Sequence, residues 1–182
     1  MRISYSALDT YQTCPLKYKY REIDRIKELK SKEAVFGTLL HSVMHYIHSP
    51  ALVLPTLEEA LNFFSQNWNA DIWASELEER SAFSQGVKII QDYYAKNDPA
   101  DFTIVDLESR FSIEIGDEKS GTHIIAGIID RIDKTADGYE IIDYKTAKKM
   151  PSQETVNTNL QLSIYLKAFL DRYPKERENL DS

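Results

Sequence analysis

The sequence predicts an α/β or α+β protein, with helices first, a small sheet of about three strands next and a helix last. Three observations carry this. Apolar residues recur at helical spacing through most of the first hundred positions. From Thr103 the apolar period changes to two, the signature of strands. Asp137-Gly138 then forms a turn signal between β-branched runs, because glycine tolerates the positive φ that a tight reversal needs. With 182 residues the chain is expected to be one domain over 1–182, a helical part at 1–100 and a sheet core with its closing helix at 101–173.

The N-terminal stretch Ser4–Tyr20 reads as two short helices broken at Cys14-Pro15. Ser4 or Ser6 caps the first, Pro15 suits the first turn of the second, and Leu8 and Tyr11 face inward. A helix over Ala34–His48 places Val35, Leu39, Leu40, Val43, Met44 and Ile47 on one apolar face. Thr56 with Glu59 is a capping-box signature opening a helix through Leu57, Leu61, Phe64 and Trp68. Another begins around Ser75–Glu79, runs through Phe83, Val87, Ile90 and Tyr94, and ends near Asn97-Asp98-Pro99. Trp68 and Trp73 read as packing residues. In Thr103–Ile115, Val105, Leu107, Phe111, Ile113 and Ile115 alternate with a wet face of Asp106, Glu108, Arg110, Ser112 and Glu114. Strands His123–Ile132 and Tyr139–Thr146 make the hairpin, Lys148-Lys149-Met150-Pro151 is a polar connection, and Val156–Leu170 is the last helix.

Hydrophobic content of 42% is enough for a real core. No apolar run approaches the roughly 20 residues that span a bilayer, so no membrane partner is expected. The start lacks a signal-peptide pattern and there is one cysteine, Cys14, which together predict a cytoplasmic protein. The net charge of −7 argues against a polyanionic partner, but its distribution matters more. Between Leu16 and Lys32 seven basic residues face three acidic ones, a local +4 that leaves −11 elsewhere. That strip, interleaved with Tyr18 and Tyr20, either follows a phosphate backbone or is a solvated helix of mixed charge.

The chemistry-bearing residues gather at the hairpin, GIIDRIDKTADGYEIIDYKT. Strand alternation puts Asp143 and Lys145 on one face with Tyr144 opposite, and Asp130 in the partner strand brings a second carboxylate to the same end. Two carboxylates and a lysine on rigid strands make a hard-cation site suited to Mg²⁺ or Mn²⁺. The plainer reading is a row of solvated charges; Ile128, Ile129, Ile141 and Ile142 beside the aspartates weigh against it. His41, His45 and His48 share one helix face, so a zinc site on His41 and His45 competes, though it lacks further ligands. His45 and His48 read as structural. Glu108 joins the carboxylates if its strand pairs with the hairpin.

Five pieces occur together and in order: SALDTYQTCPLKYKY at Ser6–Tyr20, GTLLH at Gly37–His41, GIIDRID at Gly127–Asp133, DYKT at Asp143–Thr146 and QLSIY at Gln161–Tyr165. In these the chain resembles the RecB-type branch of the PD-(D/E)XK nuclease superfamily, which includes the nuclease domains of RecB and AddB and CRISPR-associated single-strand exonucleases. The resemblance implies an α/β fold with a small central mixed sheet flanked by helices, a restriction-endonuclease-like core behind an N-terminal helical lobe. It implies His41, Asp130, Asp143 and the backbone carbonyl of Tyr144 as ligands of Mg or Mn, and Lys145 as the catalytic lysine beside the two aspartates. Glu108, Gln161 and Tyr165 become accessory residues; with DNA as the implied substrate, the basic Lys17, Lys19, Arg21, Lys148 and Lys149 read by their charge as its contacts.

The function implied is a deoxyribonuclease hydrolysing phosphodiester bonds, a single-strand-preferring exonuclease of DNA repair and recombination with a helicase bound or fused. The alternative is a non-catalytic DNA-binding module of a helicase–nuclease complex. One departure stands out: many members hold an iron–sulfur cluster on a cysteine like Cys14 and three more near the C-terminus. This chain has a single cysteine, so no cluster is expected in it.

Overall fold

A computed structural model describes residues 1–117, 119, 121–146 and 152–176. It shows an α/β protein with a mixed four-stranded sheet. Strand β2 (Thr103–Asp117) lies beside β3 (Gly121–Thr135), which pairs on its other side with β1 (Arg2–Ser4) and with β4 (Gly138–Ile142). By contact the chain divides into two compact units that alternate along the sequence: Met1–Leu29, Ser109–Ile129 and Ala147–Ser182 in the first, Lys30–Glu108 and Asp130–Thr146 in the second.

In the first unit, β1 pairs in parallel with the leading half of β3, Ile3 opposite Ile125. This strand was not expected from sequence; three residues are too few to show a period. Ser4 ends it and caps α1 (Tyr5–Thr13) through the Ala7 N–H. Cys14 separates α1 from α2 (Pro15–Tyr18), and a π-helical turn follows at Lys19–Ile23. Leu8 is half-buried, but Tyr11 is 51% exposed rather than inward. The expected single last helix is two, α6 (Gln153–Asn157) and α7 (Leu160–Arg172). Asn159 causes the break, since its side chain accepts from the Leu162 N–H and caps α7 afresh. Gln161 Nε2 donates to the buried Tyr165 hydroxyl (2.7 Å), and the Tyr165 ring meets Phe111 edge-on.

In the second unit, α3 (Lys32–His48), α4 (Leu57–Gln66) and α5 (Glu76–Lys96) build the helical core. Phe36, Leu40, Val43, Met44 and Ile47 of α3 pack with Ala60, Phe64 and Ile90. The Thr56–Glu59 capping box closes as expected, each side chain bonding the other's backbone. Trp68 and Trp73 stack 5.5 Å apart against this core, and Trp68 Nε1 donates to Glu79.

Two expectations for the strands change. In β2 the alternation slips by one residue: Ile104 and Asp106 are half-buried while Val105 is 41% exposed. Glu108 sits two residues on with φ 48, a left-handed conformation that interrupts the pleat as a bulge does. The hairpin turn falls where predicted, Thr135 opposite Gly138 with Gly138 at φ 148, but β4 stops at Ile142, so Asp143–Thr146 lie beyond the regular strand.

Gly86 of α5 is set against the ring of Phe64, which is fully buried; a Cβ there would lie 2.3 Å from the ring's Cζ. Glycine to alanine in a helix ordinarily stabilises by up to about 1 kcal/mol. Here overpacking, about 1–3 kcal/mol, is the larger effect. Gly86→Ala should therefore lower the urea midpoint, and a raised midpoint would mean that Phe64 moves aside freely.

Candidate active site

The last backbone rung of the hairpin sets Arg131 opposite Ile142. One step further the same register places Asp130 across from Asp143, which is why two carboxylates reach one face. The ladder has ended there, and a side chain takes over: the Tyr144 backbone N–H donates to Asp130 Oδ2 at 2.8 Å. The other oxygen, Oδ1, lies 3.4 Å from His41 Nδ1. Asp143 Oδ2 meets Lys145 Nζ at 2.5 Å. The side chains of Asp130 and Asp143 are sheltered, at 16% and 10% exposure, whereas that of Lys145 is 57% exposed. Tyr144 points the other way and packs against the α3–α5 core, its ring edge-on to His41 at 6.1 Å.

The charges are coupled. The Asp130 carboxylate raises the pKa of His41 above the ordinary imidazole value, against the effect of burial, with the Tyr144 backbone and Asp143 adding to the rise. Burial raises the pKa of Asp143, and Lys145 opposes that by hydrogen bond and by charge. Among the described residues no three His, Cys, Asp or Glu side chains stand preassembled as a metal cage. His41 lies against Asp130, and Asp143 against Lys145. An imidazole nitrogen and two carboxylates are donor types suited to a divalent ion such as Mg²⁺ or Mn²⁺.

Residues 2–181 match the family model of PD-(D/E)XK nucleases. The chain belongs to the PD-(D/E)XK nuclease superfamily. It is also similar to a component of the ATP-dependent helicase/deoxyribonuclease of Streptococcus agalactiae, in serotype Ia and in serotype V, at 28% identity over 189 residues in each case. The match covers 98% of this chain but 17% of each relative's length.

In this superfamily member the other histidines lie apart from the aspartates. His45 Nδ1 is 3.3 Å from Ser49 Oγ, and its Nε2 is 3.9 Å from Glu108, which places Glu108 beside His45. His48 is buried, its Nε2 2.6 Å from the Tyr93 hydroxyl and 2.7 Å from Arg131 Nη1. Gly37 of α3 is not sterically required: a Cβ there would meet Thr146 Oγ1 at an ordinary 3.6 Å. Gln161 and Tyr165 belong to the first unit, where they bond each other. There too the Lys17, Lys19 and Arg21 strip is exposed, Lys19 pairing with Asp24 (2.7 Å) and Arg21 with Glu22 (3.2 Å). Lys148 and Lys149 lie outside the described residues.

The sequence reading missed the buried charge beneath the site. Arg131 and Asp133, to which the sequence assigned no role, are each 3% exposed and pair at 2.9 Å. The guanidinium also lies 4.3 Å above the Phe102 ring and 5.8 Å from that of Tyr144. Their spacing of two, one strand face, was the available signal. Burial opposes the Arg131 charge, but Tyr144, Tyr93 and Asp133 leave its pKa raised; at Asp133 burial outweighs the arginine and the pKa is raised as well.

Burial, then the Arg131 charge, push His48 down to about 4. A histidine whose folded pKa is depressed contributes stability that is present above its unfolded value and lost as pH falls through the window from 6.5 to about 4. At about 1.4 kcal/mol per unit, the loss by pH 4 is on the order of 3 kcal/mol. Urea unfolding of the wild type and His48→Asn at pH 7 and pH 4 should show that extra acid sensitivity in the wild type alone. Equal slopes for the two proteins would contradict a neutral buried imidazole.

Proposed function

We propose that this chain is a single nuclease domain that hydrolyses DNA phosphodiester bonds with Mg²⁺ or Mn²⁺ bound. We further propose a cytoplasmic, single-strand-preferring exonuclease of repair and recombination, working with a helicase that is bound or fused. The observation that carries this is the convergence of His41, Asp130, Asp143 and Lys145 around Tyr144 in a chain of nuclease family. The relatives' name, which joins a helicase to a deoxyribonuclease, supports DNA as substrate and a helicase as partner.

The proposed ligands are the His41 imidazole, the Asp130 and Asp143 carboxylates and the Tyr144 carbonyl. A bound divalent ion supplies Lewis-acid polarisation of the phosphate and a lowered pKa for an attacking water. The chain's own groups do the rest. Asp130, fixed by the Tyr144 N–H, holds His41 in orientation. Asp143 holds the Lys145 ammonium at the exposed edge of the site, where a scissile phosphate can reach it. There Lys145 orients the water or offsets charge growing on the phosphoryl oxygens, or, as the neutral amine, takes the proton from the water.

Lys145→Ala should lower cleavage by about 10²–10⁴-fold with DNA binding kept. Asp143→Asn should lose both metal affinity and activity, while His41→Ala should be rescued in part by Mn²⁺, which binds nitrogen and oxygen donors more tightly than Mg²⁺. The assay is cleavage of end-labelled linear and circular single strands with Mg²⁺, with Mn²⁺ and with chelator. Loss of the linear strand alone, one nucleotide at a time, is the expected pattern. Cut circles would overturn exonuclease action, and strand binding without any cleavage would leave a non-catalytic DNA-binding module.

A further inference from the structure

The first compact unit holds a cavity of about 630 Å³, within the range of small-ligand sites, whose walls include Arg2, Ser4, Tyr18, Arg21, Glu22 and Arg25. Three guanidinium groups against one carboxylate line it, in a chain whose net charge is −7. They come from separate pieces of the fold: Arg2 from β1, Arg21 from the π-helical turn, and Arg25 from just beyond that turn. The chain bends sharply there, with Arg25 at φ 54 and the Ile26 N–H bonded to the Tyr20 carbonyl (2.9 Å).

The donors around this cavity are not used up by the fold. Arg21 Nε pairs with Glu22, which accounts for the one carboxylate. The guanidinium groups of Arg2 and Arg25 have no hydrogen-bond or ion-pair partner among the described residues, and neither has the Tyr18 hydroxyl, although the Tyr18 ring is seated edge-on against Tyr11 at 5.4 Å. Ser4 Oγ, by contrast, is engaged with Ala7 N–H and Ser6 Oγ. Planar guanidinium forks match the oxygens of phosphate. A strand-end monoester carries about −1.5 to −2 at pH 7, better matched to two unpaired arginines than the single charge of an internal diester.

We propose that this cavity is a phosphate subsite that takes the terminal phosphate monoester of a nucleic-acid strand. The proposal rests on the nuclease reading only in naming a strand as the carrier of the phosphate. It also sharpens the basic strip: Arg21 and Arg25 of that strip line the cavity together with Arg2 from outside it, while Lys17 and Lys19 are not part of its lining.

The test is equilibrium binding of labelled single strands of one sequence, in chelator so that nothing is cut, bearing a 5′-phosphate, a 3′-phosphate or hydroxyls at both ends. Wild type should prefer one phosphorylated strand by about tenfold or more, the scale of a charge-assisted hydrogen bond. Arg2→Gln combined with Arg25→Asn should abolish that preference and leave the hydroxyl strand's affinity within about threefold; asparagine tolerates the left-handed φ. Equal affinity of wild type for all three strands overturns the proposal, as does a preference kept by the variant. An equal loss on all three strands assigns the arginines to internal phosphates and also overturns it. Should no strand bind, inorganic phosphate titrated into both proteins and followed by amide chemical shifts decides: shifts in β1 and the π-helical turn in wild type alone support the subsite, and none overturns it. Cleavage in Mg²⁺, measured separately, reports on the nuclease reading; its absence with phosphate discrimination intact sinks that reading and not this one.

Discussion

The hydrogen bond from the Tyr144 backbone to Asp130 is the contact on which the site depends. Strand β4 ends at Ile142, so Asp143–Thr146 have no ladder to fix them. Asp130 substitutes for the missing strand partner, accepting through one oxygen and leaving the other for His41. With Tyr144 pinned, alternation along the extended chain does the remaining work. The tyrosine ring goes to the core, and Asp143 and Lys145 turn toward each other on the opposite side. A carboxylate that both anchors backbone and orients His41 is a poor place for substitution, because the asparagine that removes its charge weakens both tasks at once.

Beneath that contact lies a second set of charges that serves position rather than chemistry. Arg131 ties β3 to α3 through His48 and to α5 through Tyr93, and its guanidinium lies near the Tyr144 ring. Two charged side chains at 3% exposure are costly, and pairing offsets that only in part; Arg131 Nε and Asp133 Oδ1 find no partner among the described residues. What the network provides is a fixed setting of α3 against the hairpin. His41 and His48 stand seven residues apart, two turns of one helix, so holding His48 on Arg131 also sets the rotation that aims His41 at Asp130.

Much of this was legible in the sequence, and the failures have physical causes. The period change at Thr103, the capping box at Thr56 and the turn before Gly138 are local signals, and each element stands where those signals put it. The strand β1 was hidden because its pairing is parallel and long-range. The slip in β2 was hidden because Glu108 carries no mark of its left-handed φ, and a bulge depends on the neighbouring strand. The end of β4 at Ile142 was hidden because Asp143–Thr146 keep an extended pattern while exchanging the ladder for a side-chain bond. That Asp130, Asp143 and Lys145 share one face was legible from strand spacing. The burial of Arg131 and Asp133 was hidden because charged residues in a strand carry no mark of the helix that covers them.

The central claim is that His41, Asp130 and Asp143 together hold one divalent ion. Electron spin echo spectroscopy of Mn²⁺ bound to the wild type and to His41→Gln and Asp130→Asn tests it most directly, since a directly bound imidazole nitrogen modulates the echo. The account predicts one Mn²⁺ per chain with nitrogen modulation in the wild type, loss of the modulation in His41→Gln, and greatly weakened binding in Asp130→Asn. Nitrogen modulation that survives in His41→Gln, or Mn²⁺ binding indifferent to Asp130, would contradict it.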